Sequence, residues 1–191
     1  YEPLLWAGAS VNHFVPEDDS VDNIWMNVDF NDSNWTTGTT GVGFDSSSKY
    51  LPLIGSDIEG AMGSTHSSVY MRCEFDVADP SIYQAMELRM KYDDGFIVYL
   101  NGTKIAEEKA PASPAWNSIA TASSEADPLV YDTWNVSSSL GELQAGTNVL
   151  AIHGMNRSLG SRDLIFMPEL HGGIVDSNGS VEPLIEFGAI E

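Results

Sequence analysis

The sequence predicts an antiparallel β-sandwich. Short alternating or apolar runs recur along the whole chain, turn residues punctuate them frequently, and almost no stretch carries a helical period. At 191 residues the chain can build one sizeable β domain with its own core. Residues 1–170 are assigned to that domain, and 171–191, opening His-Gly-Gly, to a tail or linker toward a neighbouring domain.

Taken in order, residues 4–6 and 11–15 form the first two expected strands, and the charged stretch 16–20 turns the chain. Residues 29–35 are dense in Asp, Asn and Ser, whose side chains bond their own backbone, so they predict a loop anchored by Phe30 and Trp35. Val42 and Phe44 alternate as a short strand, while 51–68 shows little periodicity and reads as a surface loop. A strong strand spans 69–77 and ends at Ala78-Asp79-Pro80. Met86, Leu88 and Met90 then alternate with Glu87, Arg89 and Lys91, the pattern of a half-exposed strand.

That strand feeds the stretch around which the rest is organised, Asp93-Asp94-Gly95 followed by Phe96-Ile97-Val98-Tyr99-Leu100 and Asn101-Gly102. Both faces of 96–100 are apolar, which predicts a strand covered on two sides in mid-sheet. Asn101-Gly102 suits a type I′ turn, whose two central residues need positive φ, and 104–106 begins the return strand. Further on, 131–136, 149–153 and 163–170 are strand candidates, and 137–144 allows one helical turn.

Charge and cysteine content narrow the function. With 28 acidic and 8 basic residues the net charge is −20, which argues against nucleic acid and anionic membranes as partners and disfavours unaided binding of sulfated or uronic polymers. The single cysteine, Cys73, excludes an internal disulfide and sits in an apolar run, as a buried inert thiol does. No run is long enough to insert in a membrane. The chain starts without Met or a signal peptide and reads as a processed segment of a longer protein.

Three features carry possible chemistry. Asp93 and Asp94 are adjacent carboxylates that repel by about 1 kcal/mol at ~4 Å even in water, so they need a cation, a donor or water between them. A corner whose carboxylates accept backbone N–H bonds is the alternative to a metal site. Trp116, with Asn117 beside it in the Pro-containing loop 110–118, suits stacking on a sugar ring, or else anchors that loop. Trp6, Trp25, Trp35 and Trp134 are expected to pack in the core or at its edge. His153 continues an apolar strand as a satisfied core histidine, and Asp29, Asn31 and Asp32 read as a self-bonded turn. No nucleophile elbow or His-Glu-x-x-His motif occurs, so the chain is read as no enzyme.

Three stretches resemble a known family. Asp29-Phe30-Asn31-Asp32-Ser33-Asn34-Trp35, the run from Tyr92 to Thr103, and the pair formed by 145–153 with 161–170 are similar to galactose-binding-like β-jelly-rolls that accompany bacterial polysaccharide-degrading and cell-surface proteins. The sugar-binding domain at the front of many β-galactosidase-like enzymes has the same layout. That resemblance implies a non-catalytic carbohydrate-binding module, secreted or on the cell surface, often bearing calcium, with a polysaccharide or glycan and the neighbouring domains of a larger chain as partners. The Asp-Asp-Gly run also resembles the lectin domains of yeast flocculins and the protective-antigen fold. There, paired aspartates and an Asn of a later loop hold a calcium ion that contacts sugar hydroxyls. Carried onto this chain, the resemblance matches Asp93 and Asp94 to the doublet and points to Asn156 on the late loop; with Asp163 at the last strand added as a further partner, these four are the expected metal set. Trp116, Asn117, Asp94, Asn156 and Arg157 make the glycan set. A structural or adhesive spacer without a glycan site is the competing reading.

Overall fold

A computed structural model describes residues 1–123 and 127–174. Two six-stranded sheets face each other across one main core, so the predicted β-sandwich is observed. The strands are β1 (Glu2–Leu5), β2 (Ser10–Phe14), β3 (Thr36–Thr39), β4 (Val42–Asp45), β5 (Ser56–Asp57), β6 (Ser68–Val77), β7 (Tyr83–Asp93), β8 (Gly95–Leu100), β9 (Thr103–Glu108), β10 (Asp132–Asn135), β11 (Gly146–Met155) and β12 (Asp163–Ile174). One sheet runs β10-β7-β12-β4-β5, with β1 also paired to β12, and the other runs β3-β2-β6-β11-β8-β9. All pairings are antiparallel except β4 with β5.

The pleat explains which residues fill the core. Along β6, Val69, Met71, Cys73, Phe75 and Val77 point inward, and along β7 Leu88, Met90 and Tyr92 do the same, two residues apart each time. Strand β8 lies between β11 and β9, and both its faces are covered: Phe96, Val98 and Leu100 enter the main core, and Ile97 packs with Ala120 and Met155. Asn101 and Gly102 have φ of 52° and 93°, the two positive values the turn requires.

Four expectations need correction. Residues 51–68 are not a plain surface loop: they hold a 3₁₀ turn, β5 and the one-turn helix α1 (Glu59–Met62), whose Met62 and preceding Ile58 are buried. Two inward residues without a regular period leave no pattern to read. Strand β3, Thr-Thr-Gly-Thr, was not expected, because an edge strand facing water needs no apolar alternation. The last strand continues past 170 to Ile174, and the remainder of the 171–191 tail lies outside the described residues. Trp6 does not pack: it is 60% exposed, while Leu4 and Leu5 are both buried. A register shift between Pro3 and Leu5 breaks the alternation of β1 just before it and turns Trp6 outward.

Candidate functional site

The Asp93–Asp94 pair sits where β7 passes into β8, and a cis peptide bond joins the two residues. Strand pairing brings two other elements to this corner, β12 and β4. Asp93 lies opposite Ile165 of β12, and Asp163 at the start of β12 lies opposite Asp45 of β4. Asp45 accepts the backbone N–H of Ser47 at 2.6 Å and that of Tyr50, so it closes a tight turn that aims Tyr50 back at the sheet. The Tyr50 hydroxyl then donates to Asp93 Oδ2 at 3.0 Å.

Burial pushes the Asp93 carboxyl up to about 8, helped by the hydrogen bond that its protonated form donates to the neighbouring Asp94 side chain and by the charges of Asp94 and Asp163; the Tyr50 hydroxyl opposes the rise. Tyr50 is itself driven upward by burial and by the Asp93 charge, so its phenol keeps its proton and acts as a donor. Asp94 is buried, and its Oδ2 accepts the backbone N–H of Arg157 at 2.8 Å. Asn156 Oδ1 accepts the same N–H at 2.9 Å, and Asn156 Nδ2 reaches the Asp163 carbonyl at 3.4 Å. The four residues expected to hold a metal therefore meet at one end of the sandwich. Their donors are hard oxygens, which suits calcium, but the Asp93 and Asp94 carboxyls, the Asn156 amide and Asp163, which meets Asn156 through its backbone carbonyl, supply only part of its six to eight ligands. Among the described residues no group of three or more carboxylate, histidine or cysteine side chains is placed to hold a metal ion.

Asn156 also ties this corner to the tryptophan loop. Its backbone N–H donates to Ser67 O at 2.8 Å, its carbonyl accepts from Ala120 N at 3.0 Å, and the Ser67 hydroxyl donates to Asn117 O at 3.0 Å. The loop is fixed from the other side by Asp22. That carboxylate accepts the Trp116 N–H at 3.2 Å and the Tyr70 hydroxyl at 2.6 Å. Trp116 is half-buried against a second apolar cluster built on Trp25, Tyr70, Val149 and Ala151, so it is less outward than a bare loop platform. With Asn117, His66, Ser67 and Leu159 it lines a groove of about 220 Å³. Asn117 and Arg157 are exposed, Asn156 and Asp94 are not.

Residues that the sequence did not single out hold this arrangement together. Arg72 is 1% exposed on the outer face of β6. Its Nε donates to Asp32 Oδ2 at 2.8 Å, and its Nη1 to the carbonyls of Trp25 and Asn27. The loop read as self-bonded is so only in part: Asn31 accepts from Ser33 N, while Asp32 turns inward to the guanidinium. An arginine inside an apolar strand run was the available signal. Nothing marked Asp22 or Tyr50. His153 is buried, hydrogen-bonded to Ser68 Oγ at 2.9 Å, and held by burial at about 3, a neutral core histidine as expected. Burial likewise lifts the Cys73 thiol to about 12.

No protein-family model matches the chain, and no curated protein does. Solved structures share its fold. A β-glucuronidase of Bacteroides uniformis superposes with a TM-score of 0.56 at 12% identity, over 91% of this chain and 18% of that one. The β-glucuronidase 2 of the same organism, covalently bound to cyclophellitol-6-carboxylate aziridine, gives 0.54 at 12% identity over the same shares. A β-glucuronidase from an uncultured Clostridium gives 0.50 at 10% identity, over 85% of this chain and 28% of that one. The β-sandwich described here thus corresponds to one small part, 18 to 28%, of much longer glycosidase chains.

Proposed function

We propose that this chain is a non-catalytic carbohydrate-binding module of a secreted or surface polysaccharide-processing protein, with calcium at the Asp93–Asp94–Asn156 corner. What carries the reading is the link through Asn156 and Ser67 that joins the carboxylate pair to the Trp116 groove. The correspondence to a small part of longer glycosidases supports an accessory role within a larger chain. Trp116 offers an apolar face, and Asn117 and His66 offer polar neighbours at the rim. The groove is smaller than the roughly 300–1,000 Å³ of ordinary ligand sites and suits one sugar ring. The loop is already ordered by Asp22 and Ser67, so little entropy is lost on binding. Calcium bound at the corner would replace the proton that the half-buried Asp93 otherwise keeps and bring its carboxylate to full charge.

The spacer reading draws on one observation, the packing of Trp116 against the second cluster. Titration calorimetry with a panel of soluble glycans, in calcium and in chelator, separates the two. The module reading expects dissociation constants of about 0.1–1 mM, and about tenfold weaker binding in Trp116→Ala, near 1.4 kcal/mol. Melting temperature should fall in chelator for the parent chain and not for Asp94→Asn. A panel with no binding in either condition leaves the spacer.

A further inference from the structure

The Trp116 groove does not end at His66. His66 also lines a second groove of about 370 Å³, and Pro16 of the first is flanked in sequence by Val15 and Glu17 of the second. The second groove is lined by the stacked pair Phe14–Trp35, with ring centroids 5.3 Å apart, and by Asn34 next to Trp35 in sequence. Trp35 and Trp116 pack against the same cluster around Trp25 and Tyr70, so the two ends are held at a fixed spacing by one rigid aromatic layer.

We propose that the two grooves are one binding track that takes a linear, uncharged glycan chain, one stretch against Trp116 and the next against the Phe14–Trp35 pair, with His66 at the junction. The proposal rests on the reading of Trp116 as a sugar platform and adds to it the length and charge of the ligand. Length follows from continuity: a track with an aromatic at each end rewards a ligand that spans both, since the second stretch binds at high effective concentration once the first is seated. Charge follows from the lining. Among the described residues no Lys or Arg lines either groove and Glu17 is the one carboxylate there, and the chain carries −20. A uronic or sulfated chain would meet repulsion and find no guanidinium to pair with.

The probe set is neutral cello-, xylo-, manno- and laminari-oligosaccharides of increasing length, with oligouronates as the acidic arm. The blocking variant is Gly60→Leu: Gly60 lines the second groove, and a Cβ there meets open space, so the new side chain fills the track without disturbing the backbone. Asn34→Ala, at an exposed residue of the same groove, is the second variant. The expected result is about tenfold tighter binding as at least one neutral series lengthens beyond the reach of the first groove. Gly60→Leu should abolish that gain and leave the affinity for the shortest ligand unchanged, and Asn34→Ala should reduce the gain. Affinity independent of length, or a gain that survives Gly60→Leu, overturns the track while leaving single-ring binding at Trp116 intact. Oligouronates bound as tightly as the neutral series overturn the charge assignment. Absence of all glycan binding overturns the track together with the module reading.

Discussion

Asp32 and Asp93 both end buried or half-buried at the margins of the sandwich, yet in opposite company. Asp32 meets the guanidinium of Arg72, which also donates from Nη1 and Nη2 to the carbonyls of Trp25, Asn27 and Phe30 in the same loop. Asp93 meets Asp94, a phenol and the charge of Asp163. The first arrangement is closed: each charge is matched, and the chain from Trp25 to Asp32 is pinned across the outer face of β6. The second is open, because burial of like charges is relieved by keeping a proton, and a proton can be exchanged for another cation. A carboxylate serves as a structural staple where its partner is built in, and as a candidate binding group where its partner is mobile.

The largest effect should come from breaking the closed pair. Arg72→Met leaves the Asp32 carboxylate, with 12% of its side chain exposed, beside a buried apolar group and should cost about 3–5 kcal/mol in urea denaturation. Adding Asp32→Leu should recover much of the loss, because no unpaired charge then remains; equal stability of the single and double variants would contradict the assignment.

The open pair should respond to pH instead. Folded Asp93 keeps its proton up to about 8, whereas an unfolded aspartate loses it near 3.8. Between those values the folded state binds more protons, so this group's contribution to stability falls as pH rises. In chelator, the decline of melting temperature across that window should be shallower in Asp93→Asn than in the parent chain. Calcium should counter the decline at the alkaline end, where the proton is easiest to displace.

A smaller effect sharpens the same comparison. Tyr50→Phe removes the hydroxyl that holds Asp93 down, at a cost of about 1 kcal/mol, and should move the Asp93 titration upward. Carbon-13 NMR of the side-chain carboxyls would follow that shift directly. An unmoved titration would mean that the phenol does not donate to Asp93.

Much of this architecture is legible in the chain because strands report their own burial. The two-sided apolarity of 96–100 marks β8 as an interior strand, and Asn101-Gly102 marks its turn, both through local rules of period and φ. The cation need of Asp93 and Asp94 is legible as adjacent like charges, but that Asn156 and Asp163 meet them is set by strand register, which no local pattern encodes. Arg72 escaped for a related reason. It points away from the core, and a strand's outer face is normally wet; here the segment 21–35 covers it, and that coverage depends on contacts some forty residues distant in sequence. Tyr50 sits in a stretch without periodicity, so only the fold shows that Asp45 turns it toward Asp93.

The outward turn of Trp6 has a consequence for how the molecule can be observed. Of its five tryptophans, Trp25 is enclosed, Trp35, Trp116 and Trp134 are half-covered, and Trp6 stands mostly in water. Indole emission depends on the polarity around each ring, so the intrinsic fluorescence mixes a solvent-facing signal with those of the sheltered rings. Any colour shift on adding glycan would then be diluted by the signal of Trp6, which lines neither groove. A Trp6→Phe background removes the solvent-facing bystander, and acrylamide is a better contact quencher than iodide, which a polyanion of this charge repels from its surface.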